Sequence, residues 1–143
     1  MNAVHTGEEI ARELERFYRH YIDVFNREDD SFYDCFAKPY AAVSGERGIV
    51  SIANDNRDSF ARTMKTLKER GWMRSDIDRV KAWALADDLG MIISDVTRYR
   101  TDGSVLEMLR ACYMVRRDGA AWKILTISEI KAPFLGPGDL ARA

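Results

Sequence analysis

Apolar residues recur at two different spacings along this chain, and the change of spacing divides it. Ile10, Leu14, Phe17, Tyr21 and Val24 follow one another at intervals of four and three, a single stripe on a helix. Thr6 and Glu9 stand at capping-box spacing just ahead, so the helix is predicted to begin after Thr6 and to end near Asn26. Asp29-Asp30-Ser31 predicts the cap of a second, short helix with Phe32 and Phe36 on one face. Pro39 is expected to stop it, because the residue before a proline is pushed out of helical geometry. Short strands are expected at residues 40–43 and 49–52. A third helix, capped by Asn54 or Asp55, presents Phe60, Met64 and Leu67 on one side and stops at Gly71. A strand over residues 77–85, including Val80 and Trp83, then leads into a stretch with a period of two.

That stretch, residues 89–130, reads as two β-hairpins sharing their central strand. Asp102-Gly103 and Asp118-Gly119 punctuate its alternating apolar runs, and both residue types tolerate the positive φ of tight hairpin turns. With Asp102-Gly103 as a two-residue loop, Arg98 faces Glu107 and Asp95 faces Arg110. A slip of one residue would place leucines opposite those charges and forfeit pairs worth about 0.2–1 kcal/mol each. In the second hairpin, a loop over residues 118–121 puts Glu129 opposite Arg110, whereas a two-residue Asp118-Gly119 loop puts Ile127 there. One face then carries Ile93, Asp95, Met108, Arg110, Cys112, Ile127 and Glu129. The other carries Ile92, Val96, Leu109, Ala111, Tyr113, Val115, Trp122 and Ile124. Both are too apolar for water, and the helices can cover only one. The fold class predicted is α+β: a cone-shaped, curved antiparallel sheet packed on three N-terminal helices, with a pocket on the helix-facing side. The uncovered face predicts a homodimer through the sheet.

Composition narrows the field of functions. A chain of 143 residues is expected to form a single domain, 1–143, with its core in 6–131 and a loose tail over 132–143. Lys and Arg number 22 against 23 Asp and Glu, which lacks the positive excess of a nucleic-acid binder. No apolar run approaches the ~20 residues of a membrane span, and no signal-like segment opens the chain, so a cytoplasmic protein without membrane contact is expected. Cys35 and Cys112 lie far apart and read as reduced core thiols. His20 is the one histidine in the ordered sequence. It makes no metal site with two scattered cysteines and no nucleophilic triad. No glycine-rich loop links a strand to a helix, and no cofactor is expected.

The order of elements resembles the nuclear transport factor two-like superfamily, which includes ketosteroid isomerase, SnoaL-like polyketide cyclases and scytalone dehydratase. The resemblance spans roughly residues 6–130 and includes the strings Thr97-Arg98-Tyr99-Arg100-Thr101-Asp102-Gly103 and Trp122-Lys123-Ile124. Tyr21-Ile22-Asp23-Val24-Phe25 is similar to the isomerase segment bearing its oxyanion-hole tyrosine. The resemblance thus implies that Tyr21 donates a hydrogen bond to a carbonyl or enolate oxygen. Tyr113 is the nearest match to the isomerase's second oxyanion-hole group. Where that enzyme has a catalytic aspartate before a proline, this chain has Lys38 before Pro39.

The candidate catalytic residues are therefore Tyr21 and, as a base, Asp95. Phe36, Trp83, Arg110, Tyr113 and Glu129 are the candidate ligand-binding residues. The Asp95–Arg110–Glu129 row would hold a polar substrate group, or else be a structural ion-pair network, whereas Arg98–Glu107 reads as a solvated cross-strand pair. Two functions fit. One is a pocket protein for a hydrophobic small molecule, extending to cofactor-free isomerisation, cyclisation or dehydration by proton transfer. The other is a non-catalytic dimeric module for a ligand or a protein partner.

Overall fold

A computed structural model describes residues 6–45, 48–53 and 55–131. The proposed tail at 132–143 and the Asn54 cap lie outside them. Helix α1 (Gly7–Arg27) opens with the Thr6 hydroxyl accepting from the Glu9 N–H at 3.1 Å. Its buried stripe is Ile10, Leu14, Tyr18, Tyr21, Ile22, Val24 and Phe25. Tyr18 is central to the stripe, and Phe17 is only half-buried, because steps of three and four from Leu14 are both compatible with a helix. The amide of Asn26 fastens the end of α1 to the sheet, donating to the Ser75 carbonyl and accepting from its N–H, both at 2.8 Å.

The second helical segment, Asp30–Cys35, is a 3-10 helix, with the Asp29 carboxylate accepting from Ser31 N–H. It ends before Pro39 is reached. Strand β1 (Phe36–Ser44) begins at Phe36 and runs through Pro39, whose peptide bond to Lys38 is cis. Strand β2 (Gly48–Ala53) pairs with β1, and α2 (Arg57–Glu69) buries Phe60, Met64 and Leu67 as expected. Strands β3 (Trp72–Ala86), β4 (Leu89–Arg100), β5 (Val105–Asp118) and β6 (Ala121–Glu129) complete the elements of the described residues.

The six strands form one sheet in the order β2-β1-β6-β5-β4-β3. The antiparallel expectation holds for every neighbouring pair except β1 and β6, which run parallel. No local pattern announces a pairing between strands some eighty residues apart in the chain. The β4–β5 register is the one that charge matching selects, with Asp95 opposite Arg110 and Arg98 opposite Glu107. Its loop holds one more residue than expected. Arg100 and Ser104 close it around Gly103 at φ +86, and a bulge beside Tyr99 restores the register.

The second hairpin differs more. Asp118 pairs with Ala121, and a register shift after Met114 then sets Glu129 opposite Ala111, so Glu129 does not face Arg110. The backbone partner of Arg110 there is Ile130. That extra residue also carries Ile127 across the sheet, pairing it with Tyr113 on the helix side. Bulges in β3, β5 and β6 bend the sheet around α1. The helix packs directly over Gly90, where a Cβ would come within 2.3 Å of Leu14 Cδ1. Ile92, Val96, Tyr113, Val115, Trp122 and Ile124 form the sheet side of the core, which settles that the even-numbered face of β4 points inward.

Candidate functional site

Between α1 and the inner sheet face lies a cavity of about 270 Å³, bordered by Tyr18, Tyr21, Ser94, Arg98 and Tyr113 among apolar neighbours. α1 supplies two of its phenols because residues 18 and 21 share the buried stripe, and β5 supplies the third from the opposite wall. The rings pack against one another, with centroids 5.1 Å apart for Tyr18–Tyr113 and 5.8 Å for Tyr21–Tyr113. Ser94 Oγ donates to the Tyr18 hydroxyl at 2.6 Å, and the Tyr18 and Tyr113 hydroxyls lie 3.5 Å apart.

Burial raises all three phenols well above the ordinary value of 10.0. Ser94 is the donor to Tyr18, and either hydroxyl of the Tyr18–Tyr113 pair can donate to the other. The Tyr21 hydroxyl borders the same cavity, and burial keeps it protonated across the physiological range.

A second cavity, of about 230 Å³, shares Tyr21, Phe25, Arg98 and Ile127 with the first. Phe36 borders it together with Phe32, Phe60 and Asn56. Arg98 therefore sits at the junction of the two chambers, its guanidinium 5.9 Å from the Phe25 ring. The Arg98–Glu107 pair is not the solvated one expected from its nearness to the turn. The two side chains are only 20% and 22% exposed, and Nη1 donates to the carboxylate at 2.6 Å. Burial pushes Glu107 up, but hydrogen bonds from Arg98 and Arg70 prevail and hold it below its ordinary value.

Asp95 is on the outer face, away from the phenols. Arg110 donates to both its oxygens, and Arg79 adds two more hydrogen bonds. The hydrogen bonds from Arg110 lower its pKa against the effect of burial, those from Arg79 adding to them, and fix it as a carboxylate. A general base for the Tyr21 cavity cannot be Asp95. Trp83 is likewise corrected: it pairs with Met91 on the outer side, because a bulge between Ile77 and Arg79 reverses the alternation in β3. Arg110 and Glu129 border both the inner cavity and an outer groove that includes Asp95, with Glu129 exposed. Cys35 is buried and its thiol is pushed up to about 11 by burial, so it offers no ready nucleophile.

The structure thus brings Tyr21 and Tyr113 together, places Phe36 in the adjoining chamber, sets Arg110 and Glu129 at the rim, and excludes Asp95 and Trp83. The residues that sequence reasoning missed are Tyr18, Ser94 and Arg98. Their signal was parity: Ser94 and Arg98 alternate with Ile92 and Val96 on the same face of β4, and Tyr18 lies one turn beyond Leu14.

Comparison with known proteins agrees with the fold. A family model described as NTF2-like protein (DUF6841) matches residues 9–131, and the chain belongs to that family. No curated protein matches the sequence. Among solved structures, an NTF2-like protein of unknown function from Pseudomonas putida KT2440 superposes with a TM-score of 0.65 at 14% identity, covering 92% of each chain. A cystatin-like fold protein of unknown function from Nostoc punctiforme gives 0.64 at 16% identity, over 86% of this chain and 91% of that one. A protein from Catenulispora acidiphila, solved in complex with S-DNPA, gives 0.59 at 13% identity, over 82% and 91%.

Proposed function

We propose that this protein binds a small, largely apolar molecule in the cone and holds one oxygen of it with the Tyr21 hydroxyl. The observation that carries this reading is the cluster of three phenols, Tyr18, Tyr21 and Tyr113, gathered beside Ser94 at one end of the cavity, with Tyr21 on its wall. Ile22, Phe25, Val96, Leu109 and Ile127 line much of the surrounding wall, which suits a largely apolar ligand. That a protein of the same fold has been solved in complex with S-DNPA is consistent with a ligand site.

Proton-transfer chemistry without a cofactor (isomerisation, cyclisation or dehydration) is the enzymatic extension of this reading. It needs a base beside the bound oxygen's carbon skeleton. Glu129 at the rim is the carboxylate bordering this cavity among the described residues, and its exposure favours binding over catalysis as the primary function. Association of two copies through the outer sheet face belongs to the same reading, supported by Met108 and Val105, which are 74% and 49% exposed on that face.

The test uses a neutral ketone, 2-acetylnaphthalene, and its carbonyl-free analogue, 2-ethylnaphthalene, titrated against the wild-type protein and Tyr21→Phe. One net hydrogen bond is worth about 1 kcal/mol, so the wild type should prefer the ketone roughly fivefold. The variant should bind both alike. Equal affinities in the wild type would overturn the assignment of Tyr21.

A further inference from the structure

We infer that the pocket is built for an organic monocarboxylate, an anionic acid group on an apolar aromatic or alicyclic body, with the carboxylate seated on Arg98. This rests on the binding reading above and names the ligand class for it. The first support is the way Arg98 is held. A guanidinium offers two edges, and the one formed by Nε and Nη2 matches a carboxylate side-on with two parallel hydrogen bonds. Arg98 gives only Nη1 to Glu107. Its Nε is buried and, among the described residues, has no hydrogen-bond partner. The edge best suited to a carboxylate is thus unpaired, on a side chain that borders both chambers and turns to present it.

The second support is charge. Glu107 accepts from Arg70 at 3.0 Å as well as from Arg98, so the trio of two arginines and one carboxylate has a cation in excess. Because Arg70 remains on Glu107, Arg98 can turn toward a ligand without leaving Glu107 unpaired. The third is placement. Arg98 borders the same cavity as Tyr18, Tyr21 and Tyr113, and its positive charge lowers each phenol in opposition to burial. A carboxylate there takes the guanidinium edge with one or both oxygens and the Tyr21 proton with a lone pair, and its apolar body lies against Phe25 and Ile127. A neutral oxygen would satisfy Tyr21 and leave Arg98 open.

The probes are 2-naphthoate and the neutral, nearly isosteric 2-naphthamide, measured by calorimetric titration with the full chain at neutral pH. The wild type should bind naphthoate at least tenfold more tightly than naphthamide. Arg98→Gln should erase that preference by weakening naphthoate and leaving naphthamide within twofold. Glu107→Gln changes the same site in the other direction: with the competing carboxylate removed, naphthoate should bind several-fold more tightly, and a folded Glu107→Gln protein decides the matter even where Arg98→Gln is unstable. Equal affinities of the two probes in the wild type, or a naphthoate affinity unmoved by both substitutions, would overturn the carboxylate inference. If naphthamide binding still falls in Tyr21→Phe, the binding reading survives that failure. Absence of binding by either probe at millimolar concentration would overturn both.

Discussion

Two arginine–carboxylate pairs cross the β4–β5 hairpin, three residues apart on each strand, and they are built in opposite ways. On the outer face Arg110 turns its Nε/Nη2 edge onto Asp95, at 2.6 and 3.1 Å, and Arg79 donates to the same carboxylate. On the inner face Arg98 reaches Glu107 with Nη1, and its Nε has no partner among the described residues. The pairs are about equally buried, at 19% and 16% exposure outside and 20% and 22% inside. Burial therefore does not distinguish them. Geometry does: the first arginine gives a full edge to its carboxylate, and the second keeps that edge unpaired among the described residues.

The largest expected consequence is in stability. Arg110→Ala removes two charge-assisted hydrogen bonds from a half-buried carboxylate. Breaking a fully buried pair costs about 3–5 kcal/mol, and the remaining Arg79 and the partial exposure reduce this to about 2 kcal/mol. Arg98→Ala removes one such bond and also a buried N–H that has no partner, for a net loss of about 1 kcal/mol. In a chain of this size the two should differ in melting temperature by roughly 2–4 °C, Arg110→Ala being the lower. Equal melting points would mean that the two pairs are equivalent in the folded protein.

Acid sharpens the same comparison. Asp95 lies below its ordinary 3.8 and Glu107 below its ordinary 4.5, each because arginine hydrogen bonds favour the charged form. A carboxylate with a depressed folded pKa stabilises the protein fully above its unfolded value, and that contribution is lost as the pH falls through the folded one. Stability should accordingly be flat above about pH 5 and decline below about pH 4.5. Asp95→Asn should flatten the lower part of that decline and Glu107→Gln the upper part, read as melting temperature against pH. Indistinguishable profiles for the two variants would separate neither carboxylate from the background.

How much of this the sequence revealed depends on how local its cause is. Charge complementarity across four residues, Asp95, Arg98, Glu107 and Arg110, suffices to place the first hairpin, and the Asp-Gly turns locate both loops. Tyr21 is legible because helix periodicity and a stretch similar to ketosteroid isomerase converge on it. Bulges are what the pattern hides. One extra residue between Ile77 and Arg79 turns Trp83 outward, and one in β6 brings Ile127 and Glu129 to the inner side. Alternation read without bulges assigns all three to the wrong face. Arg98 was misjudged for a different reason: its nearness to a turn suggested solvent, while its parity with Ile92 and Val96 pointed inward. Nothing near Phe36–Ser44 encodes its parallel partner β6, since that pairing is made by the closure of the whole sheet.

The smallest expected effect tests what covers the outer face. Arg79 makes two hydrogen bonds to Asp95, yet its side chain is 59% exposed, so in a free chain most of its attraction is screened by water. Arg79→Ala should cost about 0–1 kcal/mol, well short of Arg110→Ala. That holds only while solvent reaches Arg79. If two copies pair through this face, burying Met108 and Val105, the same guanidinium loses its water and its loss becomes as damaging as that of Arg110. Light scattering coupled to gel filtration separates the cases, since a pair would have twice the 16.4 kDa of the chain. A dimer with a large Arg79→Ala effect, made small again by Met108→Glu, would locate the interface over the Asp95 cluster. A dimer whose stability is indifferent to Arg79 would place the contact elsewhere on the molecule. A particle of 16.4 kDa at micromolar concentration would leave the outer pair closed by its own two arginines and overturn the dimer.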